Sequence, residues 1–179
     1  MKIFFTADCH FNHTNIIKYT GRPFKDIKSM NDEIVSRWNA KVKPNDLVYH
    51  LGDFAFKGTT SAIDWQAKLN GEIVHIVGNH DYNNGVKSYI SVALMQFGNL
   101  EVLAQHHPPT VPGEVPDYID LVICGHVHKH WKHNFINDIP IINVGMDVWQ
   151  FTPISVDSVL KYFKEITRPK KVSHEKPNL

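Results

Sequence analysis

Apolar runs of strand length recur along this chain, and most stop at a Gly, Asp, Asn or His turn. Ile3 to Ala7 is the first such run and predicts a buried strand delivering Asp8 to its end. An irregular stretch with polar insertions follows over 11–24, closed by Gly21-Arg22-Pro23. Ser29 is expected to cap a helix over 30–40, with Asp32 and Glu33 in its first turn favouring the helix dipole. Pro44-Asn45-Asp46 reads as a turn, and Leu47 to Leu51 as a strand stopping at Gly52-Asp53.

The alternation then repeats. A helix is expected from about Ser61 to Leu69, and a strand over 72–77 ending at Gly78. Segments 89–96 and 100–105 flank Gly98-Asn99 as a hairpin. Leu121 to Cys124 ends at Gly125, Pro140 to Val144 ends at Gly145, and Ser155 caps a last helix reaching Ile166. Strand–helix–strand order early and paired strands later predict an α/β layered sandwich of two mixed β-sheets flanked by helices. A single domain over 1–167 is expected, with a polar, flexible tail over 168–179 and no internal repeat or linker.

Composition changes this picture little. The chain has 42% hydrophobic and 21% charged residues, as ordinary globular proteins do. A net charge of +1 offers no broad basic surface, so nucleic acid is possible but not favoured as a partner. No apolar stretch approaches the ~20 residues that span a bilayer, so no membrane association is expected. The first run is too short for a signal peptide, and Cys9 and Cys124 lack CxxC spacing; both are expected to be buried reduced thiols in a cytoplasmic protein.

Chemistry concentrates at the strand ends. Asp8-Cys9-His10, Gly52-Asp53, Gly78-Asn79-His80-Asp81, His106-His107-Pro108 and Gly125-His126-Val127-His128 all carry metal-donor side chains. Four of these segments directly follow an apolar run, so one sheet edge can gather them. The oxygen and imidazole donors, with no thiolate pair, suit a catalytic centre for two divalent ions better than a structural zinc site. Asp8 with His10 and His126 with His128 are two residues apart, a spacing that directs both side chains to one side of an extended chain. Asp53, with two carboxylate oxygens, can bridge ions ~3.5–4 Å apart. Two such ions lower the pKa of a shared water to give a hydroxide nucleophile. His80 is placed to protonate the leaving oxygen, with Asp81 orienting its ring.

The order of these blocks resembles the calcineurin-like metallophosphoesterase superfamily, with its Asp-x-His, Gly-Asp, Gly-Asn-His-Asp/Glu, His before Pro, and Gly-His-x-His pattern. The resemblance implies a sandwich with ligands at strand ends. Asp8, His10, Asp53 and His128 would hold one metal, and Asp53, Asn79, His106 and His126 the other. His80 would be the catalytic histidine and Asp81 its partner. His107 stands where an aromatic often follows the ligand, which leaves His106 and His107 as alternatives, the spacing to Pro108 favouring His106. Asn15-Ile16-Ile17-Lys18, Gly21-Arg22-Pro23-Phe24 and Trp149 are similar to a small bacterial and phage branch of phosphoesterases.

The implied activity is metal-dependent hydrolysis of a small phosphate ester, a phosphodiester or cyclic phosphodiester ahead of a monoester. Manganese leads among the metals, with iron, nickel and zinc also suited to O/N donors. His13 and Arg22 are placed to reach a bound phosphate, an Arg fork being well matched to its oxygens. Trp131 and Trp149 are expected to serve packing or loop anchoring rather than base stacking. The competing reading is a catalytically silent metal-binding scaffold for protein assembly; a structural zinc protein is a third.

Overall fold

The structure is a computed structural model that describes residues 1–167; the expected flexible tail lies outside the described residues. In chain order it contains β1 (Ile3–Thr6), α1 (Ile16–Thr20), α2 (Ile27–Lys41), β2 (Leu47–Leu51), α3 (Ala62–Gln66), β3 (Glu72–Ile76) and β4 (Val92–Phe97). There follow β5 (Leu100–Gln105), β6 (Leu121–Cys124), β7 (His133–Ile136), β8 (Ile139–Asn143), β9 (Ile154–Ser155) and α4 (Val156–Thr167). One sheet has the order β3-β2-β1-β9, with β9 antiparallel at its edge. The other has the order β4-β5-β6-β8-β7, parallel in its middle three strands and antiparallel at both edges.

Alternation along the strands builds the layers. Phe5, Leu51, Val102, Ala104, Leu121, Ile123 and Ile142 form a shared core with both sheets. Their neighbours Phe4 and Val48 join Met30, Ile34 and Trp38 of α2 in a second core. Val122, Cys124 and Ile141 join a third, closed by Val115 and Ile119 from the segment before β6. Val159, Tyr162, Phe163 and Ile166 of α4 pack onto the shared core. The two mixed sheets with flanking helices are the α/β sandwich that the pattern predicts, although loop residues rather than a helix supply the third core's cover.

Several local boundaries differ. Asp26, not Ser29, caps α2: its carboxylate accepts from the Ser29 N–H at 2.7 Å, and Ser29 Oγ accepts from the Asp26 N–H at 3.3 Å. Ser29 is therefore the third helical position of a reciprocal capping box, and the helix begins earlier than expected. Ser61 does cap α3, which is shorter than predicted. The first hairpin strand begins at Val92 rather than Tyr89, and its turn pairs Phe97 with Leu100 as expected. β7, β9 and α1 were not anticipated.

The two sheets meet where β1 and β8 end. Ala7 bridges Gly145 in parallel, and the Met146 N–H donates to the Ala7 carbonyl at 3.1 Å. The carboxyl ends of β1, β2 and β3 thus share one rim with those of β6 and β8. In sheets of parallel strands, such a rim is where ligands collect.

Candidate metal centre

Adjacent strand exits run side by side. The Asp8 N–H donates to the Gly52 carbonyl and the His10 N–H to the Asp53 carbonyl, each at 3.0 Å. Gly52 has φ +89°, and a Cβ there would lie 2.6 Å from the Gly78 backbone. Gly145 is required for space instead: a Cβ would lie 2.6 Å from Asp8 Oδ2. The donor residues themselves are bent into left-handed backbone, with φ of 59° at Asp8, 53° at His10, 59° at Asp53, 69° at His126 and 46° at His128. Each such conformation costs about 1–2 kcal/mol for an L-residue and is held by the surrounding fold.

This geometry gathers the seven expected donors on one rim. Donor atoms of Asp8, His10 and His128 lie within 4.8 Å of one another, as do those of Asp8, Asp53 and His106. Asp53 Oδ2 lies between them, 3.6 Å from His10 Nε2 and 3.5 Å from His106 Nε2. His106 Nε2 is also 3.2 Å from Asn79 Oδ1. His106 Nδ1 stands 2.6 Å from the Leu51 carbonyl, so it carries a proton there and turns Nε2 towards the centre. The His126 backbone N–H donates to the Asp8 carboxylate at 3.0 Å. His107 lies with His106 and His126, all three donor atoms within 4.8 Å of one another.

Burial sets the charges. It pushes the Asp8 carboxyl up to about 6, against the pull of His106 and His128. Asp53 resists the same desolvation and is held well below the usual carboxylate range, chiefly by its hydrogen bond to His106. Burial works against protonated His106, but the Asp53 hydrogen bond and the Asp8 charge carry it up to about 9. His10 is 1% exposed, and desolvation keeps it well below its ordinary value despite Asp53. Both of its ring nitrogens lack a hydrogen-bond partner. An unpartnered neutral imidazole buried beside two carboxylates has the chemistry of a divalent-ion donor set, and the residues fit that role.

The His80 N–H donates to Asp53 Oδ1 at 3.0 Å, and its Nε2 is 3.9 Å from Asp53 Oδ2. The ring is partly open to a cleft of about 430 Å³ whose walls include His13, Ile16, Tyr19, Phe56 and Lys129. His13 stacks on Phe56 with ring centres 3.9 Å apart. A second cleft, of about 290 Å³, opens by Asn79 and His106, with Tyr82, Val92 and His107 in its walls.

Two expected roles are corrected. Asp81 does not pair with the His80 ring: its carboxylate accepts the backbone N–H groups of Asp53 and Gly78 at 2.8 Å and Phe54 at 2.9 Å. It fixes the Asp53 turn against the Gly78 turn. Arg22 does not face a phosphate either. Its guanidinium is buried, donating to the Asp8 carbonyl at 2.7 Å, the Cys9 carbonyl at 3.0 Å and the Asp147 carboxylate. Asp147 was missed. It follows the apolar β8 run by a few residues, as the other blocks follow theirs, but no histidine stands beside it in the sequence to mark it. Trp149 anchors its loop by donating to the Asn143 carbonyl at 2.7 Å, and Trp131 packs on the third core. Cys9 and Cys124 are free and buried, as expected.

A family model described as the calcineurin-like phosphoesterase superfamily domain matches residues 1–155. The chain belongs to this superfamily. An uncharacterised protein of Methanocaldococcus jannaschii is 33% identical to this phosphoesterase domain over 169 residues, covering 92% of each chain. The Gene 66 protein of Mycobacterium phage D29 is 25% identical over 182 residues, covering 82% of this chain and 88% of that protein. A crystal structure of a protein of unknown function from Aquifex aeolicus superposes with a TM-score of 0.71 at 26% identity, covering 90% of this chain and 98% of that one. Family and donor set together support a metal-dependent phosphoesterase. Among the described residues, no helix is long and apolar enough to cross a membrane.

Proposed function

We propose that this phosphoesterase hydrolyses phosphodiesters at a centre for two divalent ions, with His80 protonating the leaving oxygen. The observation that carries the reading is the placement of Asp53 Oδ2, 3.5 Å from His106, 3.6 Å from His10 and 3.9 Å from His80. One carboxylate thereby touches both donor groups and the candidate acid. Asp8, His10, Asp53 and His128 would hold one ion, and Asp53, Asn79, His106 and His126 the other. When bound, such ions activate a water and offset charge on phosphoryl oxygens.

The chain's own residues supply the rest. Asp81 and the Gly78 turn keep Asp53 in place, and the His80 backbone N–H fixes the catalytic ring beside it. The His80 ring opens into the larger cleft, where a departing alcohol would sit. The second cleft, beside Asn79 and His106, gives space for a second ester arm. Two clefts at one centre favour a diester, linear or cyclic, over a monoester. Manganese is the leading ion, the carboxylate and amide oxygens being hard donors.

The test is hydrolysis of bis(p-nitrophenyl) phosphate and p-nitrophenyl phosphate by the protein reconstituted with manganese. The diester should be cleaved faster, chelator should abolish turnover, and His80→Ala should lose about 10²–10⁴-fold in rate while retaining its metal. Asp53→Ala should lower occupancy of both ions and Asp8→Ala mainly one. A protein that binds two ions and cleaves neither ester would instead be a silent scaffold.

A further inference from the structure

The donors around Asp53 do not account for His107. Its ring centre lies 4.2 Å from that of His126 and 4.9 Å from that of His106. One donor nitrogen from each of the three rings falls within 4.8 Å of the others, so modest turning of the rings would bring all three onto one ion at metal–nitrogen bonds of about 2.0–2.1 Å. Among the described residues, the hydrogen bonds of His107 and His126 run through their backbone. The His107 carbonyl accepts from Gln105 Nε2 at 2.8 Å, and the His126 N–H donates to Asp8. Both residues are exposed, whereas His106 is buried and pinned by the Leu51 carbonyl.

We infer that His107 joins His106 and His126 as a third imidazole donor, beside Asp53 and Asn79, to the ion on the Asn79 side of the centre, making that side the more selective for a zinc-like or nickel-like ion over manganese. The inference rests on the proposed reading of His106 and His126 as metal donors. Its physical basis is donor softness. Three imidazoles strongly favour the borderline later d-block ions, whereas carboxylate oxygen, a hard donor, narrows their advantage over manganese. The opposite side would offer two imidazoles, His10 and His128, with the Asp8 and Asp53 carboxylates, against three imidazoles, the Asn79 amide oxygen and the shared Asp53 carboxylate here. The two halves of the centre therefore differ in kind, and a mixed supply of ions would sort between them. His107 also lines the smaller cleft beside Tyr82 and Val92, so an ion bound there stands at the mouth of the site.

The experiment is competition dialysis of the full chain, stripped with chelator, against equimolar zinc and manganese, with bound metal measured by mass spectrometry. Wild type should retain one zinc per chain. His107→Ala should bind that zinc about 10–100-fold more weakly while keeping wild-type manganese affinity on the Asp8 side, and His107→Gln should behave likewise. Cobalt(II) absorption, read without any substrate, should change at one of the two ions only. Unchanged zinc affinity in both variants, with two ions still bound, overturns the role of His107 and leaves the dinuclear reading standing. A wild-type chain that binds no ion overturns both.

Discussion

Asp147 Oδ2 stands 2.9 Å from His128 Nδ1 and accepts from Arg22 Nη2 at 2.8 Å. The carboxylate thus fixes which nitrogen of a candidate ligand is protonated and turns the other towards the centre. His128 and Arg22 hold Asp147 well below the usual carboxylate range despite its burial. Asp147→Asn should weaken binding of the ion proposed for Asp8, His10, Asp53 and His128 by about 10–100-fold, measured by titration calorimetry. Asp147→Ala also strands the buried Arg22 and should destabilise the fold by about 3–5 kcal/mol in urea unfolding.

Asp81 supports the carboxylate shared by the two halves. Removing its carboxylate in Asp81→Ala leaves three backbone N–H groups without their acceptor, at about 1–3 kcal/mol for each that water cannot reach. The expected result is a lower urea midpoint together with reduced occupancy of both ions, because Asp53 loses its support. A variant that loses rate alone, with stability and metal content intact, would return Asp81 to a direct role beside His80.

Gly145→Ala tests crowding at the seam between the sheets. The added Cβ would press on Asp8 Oδ2 at 2.6 Å, with Asn143 Oδ1 at 2.9 Å on another side. Metal binding at the Asp8 group should fall, and the Asn79 side should be spared. Separate metal affinities for the two halves would check this.

Acid stability has a defined direction at His75, which is buried in β3 and pairs with Gln66 Oε1 at 3.2 Å. Burial lowers this imidazole from 6.5 to about 4. In the unfolded chain the ring takes up a proton below about pH 6.5, whereas the folded ring resists until about pH 4. Its contribution is therefore full above pH 6.5 and declines as pH falls to 4, by on the order of 3 kcal/mol in total. His75→Gln should show a smaller loss in urea midpoint between pH 7 and pH 5 than wild type does.

Much of this was legible in the sequence because the site sits where patterned strands stop. The runs before Asp8, Gly52, Gly78 and Gly125 are short and mostly apolar, and each exit lies at the strand's carboxyl end as expected, as does that before His106. What escaped notice obeys weaker signals. β7 is polar and half-exposed, so its alternation is faint, yet Asn137-Asp138 marks its turn: φ values of 45° and 64° at these residues and the pairing of Ile136 with Ile139 make a two-residue hairpin. Arg22 and Asp81 were misread because sequence proximity to ligands does not reveal which way a side chain is turned. Only the folded chain shows Arg22 wrapped around the Asp8 and Cys9 carbonyls and Asp81 spent on backbone N–H groups.

The left-handed backbone at the donor positions has a bearing on thermostability. His126 has φ 69° and an exposed ring, so glycine there would relieve torsional strain while forfeiting little packing. His126→Gly should melt up to a few degrees higher than the parent by calorimetry and bind its ion poorly. A search for hardier variants of this chain would then drift towards inert ones, since the rim that does the chemistry is also where the fold is least relaxed.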